Sequence, residues 1–304
     1  MAFDKAFKEQ ADLMINVMGY MPWDECFALK GGTALNLFYT DMPRLSVDID
    51  LVYLPLNSRE EALTEMKSAL VRYKEKFTKL GLQVQLTQVS EDNLAGKLIV
   101  TRGRAAIKIE PNTILRGTFY PVETKPLSNE AAEYFQQELD VTCMNFNELM
   151  AGKLVAMLDR QHPRDIFDMM HFLKSGHDLS SITDIFVVYL IQANRPFSEL
   201  LNPNLKNISQ VFKSNFEGMT REKVSIDELT ACRGEIIKQL PELLKENHKQ
   251  LLVSIMEGSP KWGNLPFENI SDYPGVQWKL LNIRKMSADR VKEEIRSVED
   301  VFGV

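Results

Sequence analysis

Two short runs carry residue types and a spacing that could do chemistry: Gly31-Gly32-Thr33 and Asp48-Ile49-Asp50. Ser46 to Tyr53 reads as a strand, and a strand sends alternate side chains to one face, so Asp48 and Asp50 point the same way. Two carboxylates one strand-step apart repel each other unless a cation lies between them. Hard oxygen ligands of this kind suit Mg²⁺. The two glycines open a helix read over 32–40, where unpaired backbone N–H groups and the helix dipole favour an anion such as phosphate. A phosphate cradle beside a Mg²⁺ pair is equipment for handling a nucleoside triphosphate. Gly-Gly alone is equally a tight turn, and Asp-x-Asp alone is equally a pair of solvent-facing carboxylates. Their order, spacing and intervening helix favour the chemical reading. No Gly-Lys-Thr or Gly-Lys-Ser follows a glycine-rich loop and no Gly-x-Gly-x-x-Gly occurs, which excludes a P-loop and a Rossmann fingerprint.

The elements that must position these residues read as follows. An amphipathic helix covers 3–19, a short strand 26–30, and the Asp-x-Asp strand 46–54. A long helix runs over 58–80, from Ser58 as N-cap to Gly81 as stop. Strands follow near 82–89, 96–101 and 105–111. The last alternates from Ile107 onward, which puts Lys108 and Glu110 on one face. Glu110 reads either as a third metal ligand or as a strand-end carboxylate before Pro111, and Lys108 would neutralise the carboxylates or touch a phosphate. Beyond about residue 145 the pattern turns helical: 147–161, 164–174, 180–194, 207–217, 225–250 and 287–302. The expected organisation is an α+β mixed sheet with helices over 1–145, followed by a mostly helical domain over 146–304.

Lys153 and Arg160 are seven apart and share a helical face. Arg164, Asp165 and Asp168 open the next helix after Pro163. Lysine and arginine here would hold a triphosphate tail and offset charge on a leaving pyrophosphate. The competing reading is an ordinary pair of amphipathic helices.

The bulk numbers agree with a globular enzyme. The chain has 304 residues, 44% hydrophobic and 26% charged, with a net charge of −6 and a pI near 5.4. That balance argues against a protein that coats nucleic acid non-specifically. It leaves room for a local basic groove, and Lys97, Arg102, Arg104 and Lys108 lie in an acid-free stretch. The cluster Lys279, Arg284, Lys285, Arg290 and Lys292 reads as a solvated face. Cys26, Cys143 and Cys232 read as reduced residues and not as a disulfide frame or zinc site. No apolar run is long enough to span a bilayer, and the N-terminus is amphipathic and unlike a signal peptide, so the expected compartment is the cytoplasm.

These motifs resemble the AbiEii family of nucleotidyltransferase toxins, which includes the MenT toxins. The resemblance rests on Gly31-Gly32-Thr33, on Asp48-Ile49-Asp50, on Lys153 with Ala156 and Arg160, and on Arg164-Asp165-Ile166-Phe167-Asp168. Arg44-Leu45-Ser46 also matches the family's habit, whereas Val47 departs from it. The motifs span 31–168. Trp278-Lys279 is a faint echo farther on. The resemblance implies a Mg²⁺-dependent enzyme of a two-gene toxin–antitoxin or phage-defence system, with a cognate antitoxin as partner. It further implies transfer of a nucleotide from an NTP to an RNA acceptor, the 3′ end of a tRNA in MenT-type members. By that resemblance Asp48, Asp50 and Glu110 are the metal ligands. Asp48, Asp50, Lys153 and Asp165 are the catalytic set. Gly31, Gly32, Thr33, Arg44, Ser46, Lys108, Arg160 and Arg164 bind the NTP. Asp165 either accepts a proton or positions Lys153. The alternatives are transfer to a small molecule or a protein hydroxyl, and a non-catalytic nucleotide-binding protein. Retention of both Asp48 and Asp50 weighs against the last, since nucleotide binding alone does not need both.

Overall fold

The structure is a computed structural model, and it describes residues 3–23, 26–87 and 95–303. The chain divides into two compact units, Met1–Leu149 with Glu217–Lys223, and Met150–Phe216 with Val224–Val304.

The first unit is built on a mixed seven-stranded sheet. In chain order its elements are α1 (Lys5–Met18), β1 (Phe27–Lys30), α2 (Gly31–Ala34), a π-helical turn over Leu35–Tyr39, β2 (Asp48–Tyr53), α3 (Arg59–Lys79), β3 (Gln83–Leu86), β4 (Leu98–Arg102), β5 (Ala105–Asn112), β6 (Glu123–Pro126), α4 (Asn129–Phe135) and β7 (Asp140–Cys143). The order across the sheet is β3-β4-β5-β2-β1-β7-β6. β2 runs parallel to β5 and β1 parallel to β7, and the other neighbours are antiparallel. The expected strand near 82–89 is β3, and its tail from residue 88 lies outside the described residues. β6, β7 and α4 were not foreseen.

Alternation sets the two faces. Along β5, Ala105, Ile107, Ile109 and Pro111 are buried, while Lys108 is exposed and Glu110 half-buried. Ile49, Leu51, Leu98 and Val100 are buried as well. α1 packs on β5 and α3 on β3. α3 starts at a capping box in which Ser58 accepts from the Glu61 N–H and Glu61 reaches back to Ser58. Such a cap contributes about 1 kcal/mol. Gly81, at φ +80°, follows its end.

Residues from the far end of the chain complete this unit. Leu45 N–H donates to Met219 O at 2.8 Å, Arg221 N–H to Pro43 O at 3.1 Å and Asp4 N–H to Gly218 O at 3.0 Å. Arg44 and Thr220 form an antiparallel bridge.

The second unit is helical. α5 (Phe146–Arg160) begins in the first unit, and the division falls within it. Gln161 turns left-handed at φ +53°, and α6 (Pro163–Lys174) restarts with Pro163 in its first turn, where a missing N–H does no harm. A 3₁₀ turn over Leu179–Ile182 leads into α7 (Thr183–Gln192), which is buried at every residue but Asp184. Then follow α8 (Phe197–Leu201), α9 (Ser209–Asn215), α10 (Ile226–Leu243), α11 (Glu246–Met256), α12 (Pro274–Arg284) and α13 (Ala288–Phe302). The single helix expected over 225–250 is two. Pro241 lies within the last turn of α10, and Leu244 is extended. His248 accepts from the Lys245 N–H at the start of the next helix. α8 and α12 were not foreseen.

Lys279 corrects the reading of the C-terminal basic cluster as a solvated face. It is buried, donates to Ala193 O at 3.0 Å and Arg195 O at 2.5 Å, and lies over the Phe197 ring. Burial lowers its pKa to about 8, against the opposing pull of Glu294 and Glu199. None of the three cysteines is in a disulfide, with Cys143 in the core and Cys26 and Cys232 half-buried.

Candidate active site

The glycine turn and the two aspartates meet in the first unit. Gly31 sits at φ +73°, and a Cβ added there would lie 2.6 Å from Asp50 Oδ2. The carboxylate therefore packs against bare backbone, which only glycine offers. A Cβ on Gly32 would lie 2.6 Å from Arg44 Nη2 and 3.2 Å from Ser46 Oγ. Thr33 Oγ1 donates to Asp48 O at 2.5 Å and lies 2.9 Å from Ser46 Oγ. Thr33, Arg44 and Ser46 are all buried, and Arg44 Nη1 also donates to Leu45 O at 2.9 Å. These contacts fasten the glycine turn to the start of β2. The Thr33 hydroxyl, expected as an NTP contact, lies within hydrogen-bond distance of Asp48 O, Ser46 Oγ and Met14 Sδ.

The strand register aligns the other charges. Asp48 pairs with Lys108 and Asp50 with Glu110 across β2 and β5, while Lys30 lies opposite Asp50 across β1 and β2. Register partners share a face, so Lys30, Asp50 and Glu110 form one row and Asp48 and Lys108 the next. Lys108 Nζ is 3.8 Å from Asp48 Oδ1, with both side chains partly exposed. Among the described residues no three His, Cys, Asp or Glu side chains converge as a metal-holding group. Asp48 and Asp50 share one face of β2, and Glu110 is the register partner of Asp50 on β5. The donor set still fits Mg²⁺: both ligands are hard oxygens on one strand face, and an ammonium already stands against one of them. Lys30, not singled out by the sequence, is a further member of this face. The alternation of β2 points to Asp50, but only the pairing of β1 with β2 brings Lys30 beside it.

In the second unit Lys153, Arg160 and Asp165 come together. Lys153 Nζ is 3.0 Å from Asp165 Oδ1 and 2.8 Å from Asp168 Oδ2, with the lysine side chain 8% exposed and both carboxylates at 0%. Arg160 grips Asp165 with two nitrogens, Nε at 2.5 Å from Oδ2 and Nη2 at 2.9 Å from Oδ1. Burial alone would raise the Asp165 pKa, but Lys153 and Arg160 overturn it and hold the carboxyl well below the usual range. A carboxylate so held is a poor proton acceptor at neutral pH, so of the two roles left open the geometry favours positioning Lys153. Asp168 does the same from the next turn of α6 and was not among the expected site residues. Arg164 is half-buried, and its N–H donates to His162 Nδ1 at 3.1 Å, making His162 the helix cap.

With both groups in view, comparison with known proteins becomes informative. The family described as "Nucleotidyl transferase AbiEii toxin, Type IV TA system" matches residues 18–282. The chain belongs to the AbiEii nucleotidyltransferase toxin family. The match runs well beyond the motif segment and takes in most of the helical unit. AbiEii membership makes the chain a nucleotidyltransferase and a toxin of the type IV toxin–antitoxin class. Among solved structures the chain is similar to MenT4, a nucleotidyltransferase toxin from Mycobacterium tuberculosis H37Rv, at 15% identity and a TM-score of 0.46, over 98% of this chain and 94% of that one. No curated protein matches. Among the described residues no helix is long and apolar enough to cross a membrane.

Proposed function

We propose that this AbiEii chain is a Mg²⁺-dependent enzyme that transfers a nucleotide from an NTP to an RNA acceptor, the 3′ end of a tRNA. The observation that carries the metal-dependent reading is the pair Asp48 and Asp50 on one face of β2, with Asp50 Oδ2 against the backbone of Gly31. In the reaction a hydroxyl oxygen of the acceptor bonds to the α-phosphorus, the bond from that phosphorus to the β-phosphate bridging oxygen breaks, and pyrophosphate leaves. Mg²⁺ held by Asp48 and Asp50 would supply charge neutralisation and a lower pKa for the attacking hydroxyl. The Gly31-Gly32 backbone approaches the phosphates without a side chain in the way. Arg44, Ser46 and Thr33 hold that turn in register with Asp48. Lys153, kept in place by Asp165 and Asp168, and Arg160, whose side chain is 59% exposed, are assigned to offsetting phosphate charge. The acceptor assignment rests on the MenT resemblance. It is supported by the β4–β5 turn, where Arg102 and Arg104 are exposed around Gly103 at φ +62°.

The test is incubation with each labelled NTP, Mg²⁺ and total RNA, and separately with lysate protein and small-molecule fractions. Label is expected in tRNA with wild-type protein and Mg²⁺, and to be lost with Asp48→Ala or Asp50→Ala. Each substitution should lower the rate by several orders of magnitude, since a lost metal ligand removes several kcal/mol of transition-state stabilisation. Label confined to protein or to a small molecule would overturn the RNA acceptor. Transfer by Asp50→Ala at the wild-type rate would overturn the metal assignment.

A further inference from the structure

The polar face of the sheet carries three carboxylates, Asp48, Asp50 and Glu110, with Lys30 and Lys108 as register partners of the two aspartates. Asp50 and Glu110 lie directly opposite each other on adjacent strands, an arrangement that like charges make unfavourable unless a cation is near. Lys108 stands 3.8 Å from Asp48 in the neighbouring row. On the other side of Asp50, in the same row, is Lys30. Lys30 is half-buried, so its charge acts through less water than a fully exposed lysine would. It immediately precedes Gly31, whose left-handed backbone meets Asp50 Oδ2. Lys30 and Gly31 are thus chain neighbours, and Asp50 stands across from the first in register and against the backbone of the second.

We propose that Lys30 is a triphosphate-binding residue, its ammonium taking the anionic tail of the NTP at the glycine turn while it offsets the Asp50–Glu110 pair. The inference rests on the nucleotidyl-transfer reading and adds to it a substrate contact at a residue not among the expected site residues. Fixed charges of this kind act where phosphate charge must be received. A lysine does so as a point charge and needs no bidentate geometry, so arginine should substitute for it.

The experiment measures equilibrium binding by calorimetry to the full chain, using nucleoside 5′-(α,β-methylene)triphosphates, which cannot be cleaved at the reacting bond, and inorganic tripolyphosphate, both with Mg²⁺. Lys30→Met should weaken both by roughly tenfold or more, the loss of one charge-assisted contact. Lys30→Arg should stay near wild type. In transfer assays the Lys30→Met defect should appear chiefly in KM. Binding of Mn²⁺ alone should be as tight or tighter in Lys30→Met, because a competing cation has gone. Unchanged nucleotide and tripolyphosphate affinity in folded Lys30→Met overturns the proposal. So does equal weakening by Lys30→Arg, which would point to a structural role. If Lys30→Met binds normally while Asp50→Ala still abolishes transfer, only the Lys30 assignment fails. If wild-type protein binds no triphosphate at all, both readings fail together.

Discussion

Replacing Gly31 by alanine tests how the glycine turn and Asp50 depend on each other. Two effects add. A non-glycine residue at φ +73° costs about 1–2 kcal/mol. The new Cβ would also start 2.6 Å from Asp50 Oδ2, and real contacts require more than 3.0 Å. The carboxylate must therefore rotate away, which at about 30° off its rotamer costs roughly 0.5–1.5 kcal/mol. Gly31→Ala should lose roughly 1.5–3.5 kcal/mol in wild-type background but only about 1–2 kcal/mol in an Asp50→Ala background, where the clash is gone. Activity should fall by on the order of a hundredfold, because a displaced ligand misplaces the reacting groups. Urea unfolding of the four proteins of this cycle, followed by the transition of the sheet unit, gives the coupling, and single-turnover transfer gives the rate. An identical stability loss in both backgrounds, or wild-type transfer by Gly31→Ala, would refute the close approach of Asp50 to the turn.

Two other perturbations address the helical unit. Asp165→Asn should destabilise it by about 3–5 kcal/mol, because a buried ion pair loses one partner, and Lys153→Met should restore part of the loss in a double mutant. Asp165 has a folded pKa below its unfolded one, so its contribution is present above the ordinary carboxylate range and is lost as pH falls from there toward the folded value. The difference between wild type and Asp165→Asn in an acid-denaturation series should vanish in that direction. Lys279 has the opposite protonation logic. Its folded pKa of about 8 lies below the ordinary 10.5, so between these values the unfolded chain binds more protons and stability rises with pH, by about 3 kcal/mol at most. Lys279→Met should flatten that rise in melting curves taken from pH 8 to 10.5, and a persistent rise would assign it to other groups.

Local features of the fold were legible because local physics specifies them. Ser58 and Glu61 announce the start of α3, Gly81 follows its end, and alternation pairs Asp48 with Asp50 on β2 and Lys108 with Glu110 on β5, while the register of the two strands brings the pairs onto one face. What stayed hidden depends on partners distant in the chain. β6 and β7 are four residues each, too short for alternation to stand out. Lys30 joins the polar face only through the register of β1 on β2. Arg44 and Ser46 have the chemistry of phosphate ligands, and only the packed turn shows them buried. Lys279 has the composition of a surface residue. Its burial follows from the carbonyl oxygens of Ala193 and Arg195, 86 and 84 residues away, which no local pattern reveals. The Lys153–Asp165–Asp168 cluster was half visible: helical spacing places the charges, but only packing shows Asp168 closing on Lys153.

The return of Glu217–Lys223 to the sheet unit bears on how such a gene can be cut and inherited. A reading frame ended after α5 would encode every strand described above, with Asp48 and Asp50 among them. It would nonetheless lack the segment that bonds Pro43, Leu45 and Asp4 and would leave the stretch just before Asp48 with open backbone groups. Exchange of the helical half between related genes at a single crossover would replace that segment along with it. The incoming residues would then have to match Arg44 and Leu45 of the retained half. Diversification of the helical unit is therefore constrained at seven residues that serve the other unit, and a truncation before Lys223 would reach the sheet unit through the stretch that leads into β2.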